Sequence, residues 1–308
     1  CALPILQSGL SAIATGRDFT CGLGTAGGVR CWGSNSFGQL GDGSRVTRST
    51  SPPNDALGGV AAIAAGSYHA CALTTTGGVR CWVLNGQGQA GTGVTSESVP
   101  SPPANDIVGD VKAISLGYDH GCALTKTGGV RCWGSNDSGQ LGDATTTDRA
   151  SPSDRDVLGG VRAIAAGGSH TCAVTEAGGV RCWGSGSDGQ LGDGTTGRRA
   201  SPPDRDALTE VQEITAGSTH TCALMKSGAV RCWGDNSLGQ LGDGSYTDRA
   251  RPSNEVLTGV AALSAGRGHT CALMVAGGIR CWGFNADGQL GLVPPDHTTP
   301  KPVVGICQ

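Results

Sequence analysis

VRAIAAGGSHTCAVTEAGGVRCWGSGSDGQLGDG, residues 161–194, is one of six versions of a single phrase in this chain of 308 residues. Its opening segment, an apolar run closed by Gly, recurs from Leu10, Val60, Val111, Val161, Val211 and Val260, at offsets of 50, 51, 50, 50 and 49 residues. A period of this length decides the fold, because each unit is one supersecondary structure that buries its apolar face only by stacking on its neighbours.

Inside the unit the apolar run reads as a first strand, HTCAVT from His170 as a second, and VRCWG from Val180 as a third across a Gly-rich turn. A fourth, weaker strand follows the loop GQLGDG and begins around a Pro. Such runs, bounded by Gly, Asn and Pro, are strand and turn signals, and no stretch holds a 3.6-residue apolar period. The chain is therefore expected to be all-β: a single six-bladed β-propeller over residues 1–308, with four-stranded antiparallel blades.

Cysteines ten apart flank the turn in every unit: Cys21 and Cys31, Cys71 and Cys81, Cys122 and Cys132, Cys172 and Cys182, Cys222 and Cys232, Cys271 and Cys281. Opposed residues of a non-hydrogen-bonded antiparallel pair lie about 4.5 Å apart at Cα, within disulfide reach. One staple per hairpin follows, each worth roughly 2.5 to 3 kcal/mol on the chain-entropy account. Cys1 and Cys307 remain. Paired, they would clasp the two ends of a ring; the competing reading makes Cys1 the acylated cysteine of a bacterial lipoprotein.

The count of 14 cysteines points to an oxidising compartment, so the chain reads as secreted or extracellular, with the periplasm or the cell surface as variants. A net charge of −3 gives no basic footprint, which excludes nucleic acid and anionic lipid as default partners. No run of 18 apolar residues crosses a membrane, and the N-terminus lacks signal-peptide regions.

The phrase His-Thr-Cys-Ala-Leu, then Gly-Gly-Val-Arg-Cys-Trp-Gly, then Gly-Gln-Leu-Gly-Asp-Gly resembles the repeat of the regulator of chromosome condensation family along essentially the whole chain. That resemblance implies a propeller, usually of seven blades, that binds other proteins; family members include secreted bacterial inhibitors of β-lactamase. Six units and a cysteine pair in each set this chain apart from the nuclear members.

Repeated positions are read as construction. Trp32, Trp82, Trp133, Trp183, Trp233 and Trp282 plug the space between sheets rather than form a sugar-stacking or light-sensing array. His69, His120, His170, His220 and His269 share a column with Phe19. A residue that Phe can replace fills space, so no metal site is expected there, and no cofactor. Arg30, Arg80, Arg131, Arg181, Arg231 and Arg280 suit stacking or pairing with a carboxylate. Asn35, Asn85, Asn136, Asn236 and Asn285 suit side-chain-closed turns, as do Asp42, Asp143, Asp193 and Asp243. No catalytic set stands apart from the repeat, and the elbow-like stretch from Gly184 to Gly189 lies in a blade turn.

Binding is therefore assigned to positions where the repeats disagree. All of Phe19, Phe37, Tyr68, Tyr118, Tyr246 and Phe284 fall in or beside loops, so that no Phe or Tyr is expected at a repeated core position. Phe19, Phe37, Tyr68, Tyr118, Arg17, Arg267 and Phe284 are the candidate partner-binding residues, since aromatic and Arg anchors dominate binding hot spots. A rim segment with Arg45, Arg48, Asp148, Arg149, Arg198, Arg199, Tyr246, Asp248 and Arg249 is the second candidate. The expected function is non-enzymatic recognition of a protein through one face. A glycan-binding propeller is the alternative, and an extracellular lyase or hydrolase ranks third.

Overall fold

In the computed structural model, which describes residues 9–293 and 295–303, every regular element is a strand. Blade 1 holds β1 (Leu10–Thr15), β2 (Phe19–Gly24) and β3 (Val29–Gly33). Blade 2 holds β4 (Val60–Ala65), β5 (His69–Thr74), β6 (Val79–Leu84) and the two-residue β7 (Ser98–Val99). Blades 3, 4 and 5 comprise β8 (Val111–Leu116), β9 (His120–Thr125) and β10 (Val130–Gly134); β11 (Val161–Ala166), β12 (His170–Thr175) and β13 (Val180–Gly184); and β14 (Val211–Ala216), β15 (His220–Met225) and β16 (Val230–Gly234). Blade 6 has β17 (Val260–Ala265), β18 (His269–Met274), β19 (Ile279–Gly283) and β20 (His297–Pro302).

Four of these sheets are three-stranded, which corrects the expectation of four strands throughout. In blade 4 the segment after GQLGDG pairs its backbone with the third strand at two isolated bridges, Gly184↔Arg199 and Val180↔Leu208. Eight residues of that segment span an interval of three on β13. Pro202 and Pro203 fall inside this excess and offer no N–H to the ladder, so it bows outward instead of pairing.

Each hairpin is in the register that the cysteine spacing requires. Cys172 pairs with Cys182 and Val174 with Val180, across a turn in which Gly178 at φ 88° donates its N–H to Thr175 O. All six staples form, at Cα separations of 4.1 Å. Cys1 and Cys307, with their proposed clasp, lie outside the described residues.

By contacts the chain divides into two compact units, one of Cys1–Lys126, Arg131–Ser135 and Asp148–Asp154, the other of Thr127–Val130, Asn136–Thr147 and Arg155–Gln308. Neighbouring blades within each unit pack the same way. In the first, Cys21, Cys31 and Leu40 of blade 1 meet Val60, Ala72 and Trp82 of blade 2. In the second, Cys172, Cys182 and Leu191 of blade 4 meet Val211, Ile214 and Trp233 of blade 5. The staple of one blade thus lies against the apolar strand and the Trp of the next.

This packing explains the motif GQLG. The carbonyl of Gln190 accepts the indole N–H of Trp233 at 2.9 Å, and Leu191 is buried in the same cluster. Gly192, at φ 75°, lies so close that an added Cβ would fall 2.7 Å from the indole nitrogen. Trp82, Trp133, Trp183 and Trp282 make the same bond to Gln39, Gln89, Gln140 and Gln240. These five indoles are fully buried, whereas Trp32 in blade 1 is only half-buried. The terminal blades are also barer elsewhere: Ile13 is 65% exposed and Leu273 47%, against 6% for Ile214 and 1% for Leu224 in blade 5.

Candidate binding surface at the blade tips

The first hairpin of each blade closes on two residues, because the Gly just after the first strand donates its N–H to the carbonyl of the residue that opens the second. The bonds run from Gly16 to Phe19, Gly66 to His69, Gly117 to His120, Gly167 to His170, Gly217 to His220 and Gly266 to His269, at 2.8 to 2.9 Å. The unrepeated pairs Arg17-Asp18, Ser67-Tyr68, Tyr118-Asp119 and Arg267-Gly268 are the tips of these turns. Tips of successive blades meet within each unit: Arg17 N–H donates to Ser67 O at 3.2 Å and Ser67 N–H to Tyr118 O at 3.3 Å. In the second unit Ser218 N–H donates to Arg267 O at 3.2 Å.

The turn after each Trp-Gly supplies the second set of unrepeated residues, on a rigid base. Asn35, fully buried, accepts the N–H of Leu40 at 3.0 Å on its side-chain oxygen, and its amide donates to Asp42 and to the carbonyls of Ser44 and Val46. Gln39 Oε1 accepts the N–H of Phe37 at 2.9 Å. Phe37 is therefore presented by a loop whose repeated Asn and Gln are spent on closing it, as the side-chain-closed turn predicts.

Three of the seven candidates converge. Phe37 and Tyr68 meet edge to face, with ring centroids 5.3 Å apart at 71°. The guanidinium of Arg17 lies 5.6 Å from the Tyr68 ring centroid and donates to its hydroxyl at 2.6 Å. Arg17 is exposed, and the two rings are half-buried. Tyr118 is half-buried on the next tip of the same unit. In the second unit Phe284 and Leu238 flank Gly268, beside exposed Arg267. Leu238 occupies in blade 5 the place of Phe37 in blade 1, a correspondence visible in the repeat alignment.

Phe19 is different. It is 4% exposed, within the cluster of Cys21, Leu40 and Trp82, which corrects both its assignment to the surface and the idea that no Phe or Tyr sits at a repeated core position. Its ring fills the space beside Gly16 that the His imidazoles fill beside Gly66, Gly167 and Gly217. Those imidazoles are construction too. His170 Nε2 and Thr221 Oγ1 are 2.9 Å apart, as are His220 Nε2 and Thr270 Oγ1. Burial pushes His170 down to about 4 and His220 to about 3, so both are neutral at ordinary pH. Among the described residues no three His, Cys, Asp or Glu side chains are grouped to hold a metal ion.

The repeated arginines of blades 1, 2 and 4 pair within their own blades: Arg30 with Asp55 and Arg80 with Asp106 at 2.7 Å, Arg181 with Asp206 at 2.8 Å. On the rim, Arg48, Arg199 and Arg249 are likewise engaged, by Asp42, Asp193 and Asp243.

The chain matches the RCC1-like domain over residues 3–308. It belongs to the RCC1-like domain family. Among solved structures, human WBSCR16 is similar to this RCC1-like chain at 27% identity and TM-score 0.85, with 97% of this chain and 83% of that one covered. Yeast RCC1 (Prp20), in a structure bound to Kap60, shares the fold at 22% identity and TM-score 0.79, covering 96% and 75%. The ectodomain of the Physcomitrella patens receptor kinase CR4 is similar at 26% identity and TM-score 0.56, covering 90% and 65%. No curated protein matches the chain. The RCC1-like fold supports a role in protein interaction in general.

Proposed function

We propose that this RCC1-like chain is a non-enzymatic recognition module that works outside the reducing cytosol and grips a protein partner at its blade tips. The observation that carries this reading is the cluster of Arg17, Phe37 and Tyr68. Three residues that the repeat does not require come from two blades and meet, partly exposed: Phe37 on a turn braced by buried Asn35 and Gln39, Arg17 and Tyr68 on neighbouring hairpin tips. An aromatic pair with an Arg beside it has the composition of a binding hot spot. Six staples support the compartment, since disulfides persist where thiols are not kept reduced. No helix among the described residues is long and apolar enough to cross a membrane. A repeated sugar pocket would place similar rings on every blade, and among the described residues this cluster occurs once.

Affinity capture from an extracellular fraction, with the wild type beside a Phe37→Ala/Tyr68→Ala variant, tests the reading. A protein retained by the wild type and lost from the variant, with the variant still folded and melting within a few degrees of the wild type, supports it. Equal retention removes this cluster from the function.

A further inference from the structure

Blades 1, 2, 4 and 5 cover their stapled faces in the same way. The staple and the Leu or Val two residues beyond its first Cys receive the first strand and the Trp of the next blade. The indole then donates to the Gln carbonyl of the blade it covers. Blade 6, in the second unit, offers this face bare among the described residues. Leu273 is exposed, where its counterpart Leu224 is buried with Val260 and Leu263 of the following blade. A Cβ added at Gly277 would meet nothing within 4 Å, whereas one at Gly77 would lie 3.4 Å from Val111 O of the following blade. Among the described residues no indole donates to Gln289 O.

Blade 1, in the first unit, holds the other half of the contact unused. Ile13 stands where Ile214 and Leu263 pack against a preceding staple, yet it is exposed. Trp32 is half-buried and, among the described residues, donates to no Gln carbonyl. Beside it lies a hollow of about 250 Å³ lined in part by Gly9, Leu10, Gly22, Gly24 and Thr25. This is the socket of a preceding blade: Gly77 faces Val111 O and Lys126 Nζ of blade 3, whose counterparts in blade 1 are Leu10 and Thr25.

The two faces also depart from the repeat in opposite senses. Blade 1 has Gly22 and Gly24 where the other five units have Ala, and Thr or Met. Blade 6 has Ile279 on its stapled face where the others have Val, and exposed Val275 in the turn where the others have Thr, Lys or Glu. One face has lost bulk and the other has gained apolar bulk.

From this complementarity we infer that a second copy of the chain covers these faces: blade 6 of one copy packs on blade 1 of another, with the Trp32 indole donating to the Gln289 carbonyl across the junction. The contact is head-to-tail, so each copy carries one face of each kind. Burial of exposed apolar side chains drives it, and Val275 brings no charge that would have to be desolvated. Arg17, Phe37 and Tyr68 take no part.

Sedimentation velocity of the full chain between about 1 and 100 µM tests this. The expected result is a concentration-dependent rise from monomer to dimers or longer assemblies. Ile13→Asp and Leu273→Asp, both at exposed positions and so compatible with the fold, should each stay monomeric at about 100 µM, because assembly would bury an unpartnered carboxylate. An equimolar mixture of the two should form a dimer and nothing longer, since Ile13→Asp keeps a sound blade 6 and Leu273→Asp a sound blade 1. A wild type that stays monomeric across the range, assemblies that survive both substitutions, or a mixture that stays monomeric would overturn the assignment.

Discussion

Phe19 and Tyr68 both adjoin a two-residue hairpin tip, yet one is core and the other surface, and the repeat distinguishes them. Phe19 stands in the column of buried histidines and inherits their burial; Tyr68 stands one residue earlier, on the tip itself. Phe19→Ala should cost about 3 to 5 kcal/mol of stability, the range for emptying a buried aromatic site. Tyr68→Ala should cost about 1 kcal/mol or less. Denaturant titration of the two variants separates them, and similar losses would contradict the placement.

The histidine column adds a pH dependence. Burial lowers His69 and His170 to about 4 and His220 to about 3 in the folded chain, below the ordinary 6.5 that applies when unfolded. Below 6.5 the unfolded chain takes up protons that the folded chain refuses. Stability contributed by these groups is therefore complete above pH 6.5 and falls as pH drops toward 4. For each such histidine the slope approaches about 1.4 kcal/mol per pH unit. Melting temperatures measured between pH 7 and 4 should fall, and His170→Phe, which copies blade 1, should flatten the decline.

At the scale of the element, the three-stranded hairpin unit was legible in full: strand positions, Gly turn, cysteine register and Trp all follow from the repeat. The fourth strand was not. Arg199 and Leu208 do bridge to β13 as a strand would, but Pro202 and Pro203 between them break the ladder, and no periodicity in that segment announces where pairing stops. Replacing Cys172 and Cys182 together by Ala should lower stability by roughly 2.5 to 3 kcal/mol, if the entropy of a loop this short dominates. Trp183→Ala should cost about 3 to 5 kcal/mol. Trp32→Ala should cost less, because its indole is only half-buried. An equal loss at both positions would show that blade 1 is covered as completely as the interior blades.

Across the whole molecule, positions that repeat build blades, and the proposed recognition falls to positions that do not. The division shows in how polar groups are spent: Asn35, Gln39 and Asp42 close the loop that carries Phe37, while Arg17 and Tyr68 come to it from the hairpin tips of blades 1 and 2. Sequence alone located the tips, since unrepeated residues stand out against six aligned units. It could not show that Arg17 reaches across to Tyr68, which depends on how blade 1 abuts blade 2. Nor could it show that the rim arginines Arg48, Arg199 and Arg249 are closed by aspartates. Hydrogen–deuterium exchange of the full chain, alone and with its captured partner, tests the division most directly. The account predicts added protection at residues 17–19, 36–38 and 67–69, with the stapled hairpins unchanged; protection spread over the repeated strands, with those tips unaffected, would contradict it.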